Sequence, residues 1–328
     1  MLFYAMLYVA ALYVNKLRVA GLLDKPINPY YEVIFETGVD EMSWDDLSKN
    51  KMQWPSVAEV RDYRRQVYRA VSSLISGLTS EQCTSIGQDS PLWSLVLGFE
   101  HERIHLETSS VLINEMPLQY VRFPEGFPAY HPSVKRYDTA AAAAPEHHHP
   151  VAGKHYPVND FIDVDSQVVS IGKPRDFPSF GWDNEYGHRE YTVPAFKATQ
   201  FKVSNGEFLE FVKGGGYSNT EYWTDVGWKW RAFRNVKIPS FWVRTGPQGY
   251  HEYDLRVLFD TVPMQWDWPV VVNLHEAVAF TNWKSKASGK SIRVMTELEH
   301  RAIRGSTDDH SIAFGGVDMM SKVRKPPR

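Results

Sequence analysis

Residues 90–116 read SPLWSLVLGFEHERIHLETSSVLINEM. Ser90 followed by Pro91 makes an N-cap and first-turn pair: the hydroxyl takes an orphan N–H, and proline has none to lose there. Pro117 cannot continue a helix, so the spacing predicts one helix ending at Met116. His101 and His105 are four apart and leave the same face of it. On a helical wheel that face also carries Leu97, Gly98, Thr108 and Leu112, apolar or small, so it should point into a bundle. Glu100, Arg103 and Glu107 share another face, where they can pair. Two inward histidines need partners, because unpaired buried polar groups are costly. A shared metal would serve both.

The motif alone leaves three readings open. The rings can be core histidines bonded to neighbouring helices. HERIH also fits the HExxH pattern of zinc peptidases, with Glu102 as general base. The longer metzincin form fails, because Thr108 and Val111 stand where it needs Gly and His. The third reading is histidine-ligated iron in a helical bundle, with open positions for substrate and oxygen.

Working outward, the first 130 or so residues read as helices joined by short loops. Ser56-Val57-Ala58-Glu59 is a capping-box pattern opening a helix that ends near Gly77. Met1 to Val14 is apolar but too short to span a bilayer, and its basic residues follow rather than precede it, unlike a signal peptide. It reads as a buried helix, one that opens in mid-pattern as though a segment preceded it. Thr139 to Pro150, TAAAAAPEHHHP, is low-complexity and marks a linker over roughly 132–157; its His147, His148 and His149 read as incidental. The rest is rich in Gly, Trp, Tyr and short β-type runs such as Gln167 to Ile171, interrupted by helices near Asn205–Lys213 and His275–Lys286. Gly214, Gly215 and Gly216 read as a helix stop. Such a pattern suggests an α+β domain.

Composition narrows the function. The chain has 328 residues, 43% hydrophobic, which suits two domains with their own cores. A net charge of -3 leaves no basic field for nucleic acid, and no GxGxxG or Walker loop supports nucleotide chemistry. Cys83 is the single cysteine, so the chain has no internal disulfide and reads as intracellular, in the cytoplasm.

GFEHERIHLETSSVLINEMPLQYV (98–121) resembles the HxxxHxE segment of the DinB-like domain in nonheme-iron sulfoxide synthases, closest to the ovothiol-pathway branch, the 5-histidylcysteine sulfoxide synthases. Residues 15–47, GKPRDFPSFGWDNEYG (172–187), VSNGEFLEFVKGGGY (203–217), RNVKIPSFWV (234–243) and WDWPVVVNLHEAVAFTNW (266–283) extend the likeness to about 2–305. The second half is similar to the formylglycine-generating-enzyme (sulfatase-modifying factor) fold, with RVMTELEHRAIRG (293–305) where that fold has an RLPTEAEW-like run. The resemblance implies a multidomain α and α+β chain: a DinB-like bundle over 1–131, the linker over 132–157, and a formylglycine-generating-enzyme-like domain over 158–328. It implies Fe(II) held by three histidines, and cysteine, histidine and O2 joined into a sulfoxide without nucleic acid or membrane. True formylglycine generators depend on paired cysteines in that domain, and none stands here.

This sequence departs from the family at both ends. His101 and His105 match two of its iron ligands, but Tyr8 stands at the position of the third. A phenol with an ordinary pKa near 10 is a weak ligand for Fe(II). After Gly305 the pattern is lost, and with it the segment carrying the family's catalytic tyrosine and much of its substrate pocket. The expectation is an incomplete and inactive member, with an ergothioneine-type synthase acting on trimethylated histidine, or a non-catalytic remnant, as alternatives. Arg175, Asp176, Trp182 and Asp183 form a polar-aromatic run that reads first as a structural loop anchored by charge pairs, and otherwise as lining for the domain junction. His188, His251 and His275 are substitute ligands at most, and Trp266 and Trp268, flanking Asp267, read as packing.

Overall fold

The computed structural model describes residues 13–36, 53–84, 86–127, 130, 133–134, 149–177 and 179–304. It divides the chain into two compact units, Met1–Met116 with Pro174–Tyr186, and Pro117–Lys173 with Gly187–Arg328.

The first unit is helical. Helix α1 is described over residues 13–19, followed by α2 (Pro29–Glu36), α3 (Val57–Ser76), α4 (Ser80–Thr84) and α5 (Trp93–Glu115). The capping box forms as the sequence predicts: Ser56 Oγ accepts the Glu59 N–H while the Ser56 N–H donates to the Glu59 carboxylate, and Gly77 closes the far end of α3. Val60, Tyr63 and Val67 recur at helical spacing and bury one stripe of α3 against Val14 and Tyr31. The Tyr31 and Tyr63 rings meet edge to face at 5.1 Å, a favoured aromatic geometry. A second cluster joins Tyr13 and Leu17 of α1 to Leu92 and to Leu95 of α5. Helix α5 begins at Trp93, two residues later than Pro91, with Ser90 Oγ accepting the Leu92 N–H at 3.2 Å in the turn before it.

The second unit mixes short strands and helices. Strands β1 (Phe161–Val164) and β4 (Phe196–Thr199) pair antiparallel, as do β2 (Gln167–Ile171) and β3 (Arg189–Val193). Strands β5 (Trp242–Arg244), β6 (Tyr253–Arg256) and β7 (Thr261–Pro263) form a three-stranded antiparallel sheet. Helices α6 (Asn205–Lys213), α7 (Asp225–Phe233), α8 (Leu274–Ser288) and α9 (Glu297–Arg304) complete it. Its core gathers Phe208, Leu209 and Phe211 of α6, Ala279 and Phe280 of α8, Trp242 of β5, and Trp266. Trp266 is packing, as expected, and Trp268 lies partly buried against the same core. The predicted glycine stop is real: Gly214 caps α6 and Gly215 has φ +75°. Within the expected linker, residues 135–148 lie outside the described residues, while Ala152 and Tyr156 pair in a bridge. The Tyr156 ring fills the space a Cβ on Gly206 would need.

The RVMTELEH run owes its residues to one network. The Arg293 guanidinium grips both oxygens of Glu299, at 2.8 and 2.5 Å, and the Thr296 N–H and hydroxyl add bonds at 2.7 and 3.0 Å. These donors stabilise the ionised form and hold the Glu299 carboxyl down to about 2, from an ordinary 4.5. Because the folded value is depressed, the stability it contributes is full above pH 4.5 and is lost as pH falls toward 2. Arg293 itself is largely exposed, so Arg293→Gln should lower stability at pH 7 by only about 1 kcal/mol. That deficit should shrink between pH 4.5 and 2. Denaturant melts at four pH values check it, and a deficit independent of pH would contradict the assignment.

Candidate metal centre

Tyr13 brings α1 against α5 one turn before the histidines. Its hydroxyl donates to the Leu95 carbonyl at 3.0 Å, inside the packing. A Cβ placed on Gly98 would lie 2.1 Å from the Tyr13 ring, so only glycine admits that approach. Burial and the nearby Glu102 charge push the Tyr13 phenol well above its ordinary pKa, and it stays protonated as a donor.

Beyond Gly98, the imidazoles of His101 and His105 stand with ring centres 4.8 Å apart and planes at 65°. Both are half-buried. Burial and then the neighbouring His105 lower the His101 pKa, which favours the neutral ring that a metal requires. The expected inward face holds as far as Gly98, which is buried, and the two histidines. Thr108 and Leu112 on the same face are exposed, because the Tyr13–Leu17–Leu92–Leu95 cluster covers only the start of α5. On the outer face Arg103 pairs with Glu100 at 3.0 Å.

The polar-aromatic run around Trp182 packs within the first unit. Residues 174–186 follow β2 in sequence yet cluster with the helices. The Gln88 amide donates to the Arg175 carbonyl at 3.1 Å, Phe180 lies 4.9 Å from Trp93, and Trp182 lies 5.1 Å from Phe180. Trp182 reaches His101, ring centres 6.1 Å apart and planes at 72°. The Asp183 carboxylate accepts the Asn184 N–H, whereas the Arg175 and Asp176 side chains are exposed. The sequence reading missed Phe180 and Tyr13. The alternation Phe180-Gly181-Trp182 was the available signal, two rings separated by a residue that allows a tight turn.

The three substitute-ligand histidines make contacts elsewhere. His188 Nδ1 lies 3.4 Å from the Gly172 carbonyl, His251 Nδ1 lies 3.2 Å from the Tyr253 hydroxyl, and the His275 ring lies 5.7 Å from Trp230. His149 is exposed, and Tyr8, His147 and His148 fall outside the described residues. Among the described residues no three His, Cys, Asp or Glu side chains converge on one point, and no helix is long and apolar enough to cross a membrane. The described residues thus offer two imidazole donors on one face, open to solvent toward Thr108 and Leu112.

The profile of the sulfatase-modifying factor enzyme 1-like domain matches residues 149–325, more than half of the chain. Hercynine oxygenase of Mycobacterium tuberculosis is 31% identical over 121 residues, 36% of this chain and 25% of that protein. The Mycolicibacterium smegmatis hercynine oxygenase is 25% identical over 236 residues, 70% of this chain and 46% of its own length. Ergothioneine biosynthesis protein 1 of Neurospora crassa is 25% identical over 190 residues, 55% of this chain and 19% of its own. The chain thus spans less than half the length of each of these relatives.

Proposed function

The chain belongs to the sulfatase-modifying factor enzyme 1-like family, and from that premise we propose that it is a nonheme-iron, O2-dependent sulfoxide synthase. It joins the sulfur of cysteine to the imidazole of a histidine substrate. The observation that carries this is the His101–His105 pair, two adjacent imidazoles on one helix face with an open side, in a chain related to hercynine oxygenases. The helices of the first unit are then the DinB-like part of the synthase, over 1–131, and 158–328 is the sulfatase-modifying part, of which residues 174–186 cluster with those helices.

The donor chemistry fits iron as far as it goes. Neutral imidazoles suit Fe(II), and the pair supplies two of the three ligands the resemblance implies. His101 and His105 would hold the ion, while Trp182 keeps water from one side of His101. The exposed side past Thr108 leaves room for substrate to enter. Bound there, Fe(II) would supply activation of O2 and a soft centre for a thiolate. In the net reaction the thiol S–H and an imidazole C–H are replaced by a C–S bond. One oxygen atom of O2 goes to sulfur and the other leaves as water, so O2 takes all four electrons.

A second reading has trimethylated histidine as the imidazole substrate, favoured by relatives whose names specify hercynine and ergothioneine. One experiment addresses both. The chain is loaded with Fe(II) anaerobically, mixed with cysteine and equal amounts of histidine and trimethylhistidine, and exposed to O2. Mass spectrometry should show a coupled sulfoxide, and its mass names the preferred substrate. No product above an iron-only control, from a folded chain, contradicts the proposed activity and leaves the incomplete, inactive family member that the sequence leads one to expect.

A further inference from the structure

We infer that Trp182 is a positioning residue for His101, presented by a segment of the chain that lies far from α5 in sequence. The inference rests on the reading of the histidine pair as a metal centre. Three observations carry it.

The first is that the indole is set in place by its own backbone. The Trp182 N–H donates to the Glu185 carboxylate at 2.8 Å, and its carbonyl accepts the Glu185 N–H at 2.9 Å. A Cβ on Gly181 would stand 2.9 Å from the Tyr186 hydroxyl, so the turn before the indole is closed tightly by Tyr186. Phe180 wedges between Trp93 and Trp182.

The second is that His101 is bracketed. His105 and Trp182 both pack on it, with ring centres at 4.8 and 6.1 Å and planes at 65° and 72°, so turning the imidazole about its Cβ–Cγ bond changes both contacts. An imidazole restrained in this way loses less orientational freedom on binding a metal, which is how outer-shell residues raise metal affinity.

The third is that core packing does not account for the indole. Trp182 is half-buried and, among the described residues, belongs to neither buried cluster of its unit. Among the described residues its aromatic contacts are Phe180 and His101.

The test uses Co(II) alone as the probe, titrated anaerobically into the full chain. Affinity is read from the cobalt d–d absorption, and proximity from quenching of tryptophan fluorescence. The wild type should bind through His101 with partial quenching. Trp182→Phe, which keeps a flat ring, should bind within about twofold of wild type but lose most of the quench. Trp182→Ala should bind about tenfold more weakly. Should that variant fail to fold, Trp182→Leu carries the same tenfold expectation. Cobalt binding that does not depend on His101 overturns the metal-centre reading and the inference together. Binding through His101 at unchanged affinity in Trp182→Ala or Trp182→Leu overturns the inference alone.

Discussion

Asn205→Ala should destabilise the second unit by about 3 kcal/mol: it strands the buried Trp242 indole N–H, at about 1–3 kcal/mol, and removes one of two bonds to the Gln265 carbonyl, which keeps the Trp268 N–H, at about 1 kcal/mol. Asn205 is 1% exposed at the start of α6. Its amide Nδ2 donates to the Gln265 carbonyl at 2.9 Å, while its Oδ1 accepts the Trp242 indole N–H at 3.0 Å. One side chain therefore ties α6 to β5 and to the segment after β7. Its own N–H donates to the Trp268 carbonyl at 2.8 Å, and this backbone bond survives the substitution. Domains carry only about 5–15 kcal/mol in total, so the loss removes a large share. Denaturant melts followed by tryptophan fluorescence read it directly. A loss under 1 kcal/mol would mean that water takes over the Trp242 indole N–H.

His101→Ala and His105→Ala should each lower Fe(II) affinity and sulfoxide formation by at least about 100-fold, since a single imidazole gives iron little to hold. Neither substitution should unfold the helix: both rings are half-buried, and alanine is the best helix former. Melting temperatures near wild type together with lost iron uptake would separate a ligand from a packing residue. Full iron uptake by both variants would place the metal elsewhere.

Where residues close local hydrogen bonds, the sequence was legible. The capping box at Ser56 and Glu59, the glycine stop at 214–216 and the span of α6 all depend on groups within a few positions of one another. The four-residue spacing of His101 and His105 placed both rings together for the same reason. What escaped was long-range. Nothing in 174–186 says that its aromatic residues pack on α5, because that contact joins positions some eighty apart. Gly98 read as a small residue on the histidine face, yet its purpose is visible only with Tyr13 lying across it. The wheel also cannot show how far along α5 its neighbours reach, so Thr108 and Leu112 looked buried and are exposed.

X-ray absorption at the iron edge of the Fe(II)-loaded chain tests the central claim most directly. The account predicts one iron per chain with the outer-shell scattering of at least two imidazoles, and loss of that protein-bound signal in the His101→Ala, His105→Ala double variant. A spectrum with no imidazole scattering, or one unchanged in the double variant, would contradict it.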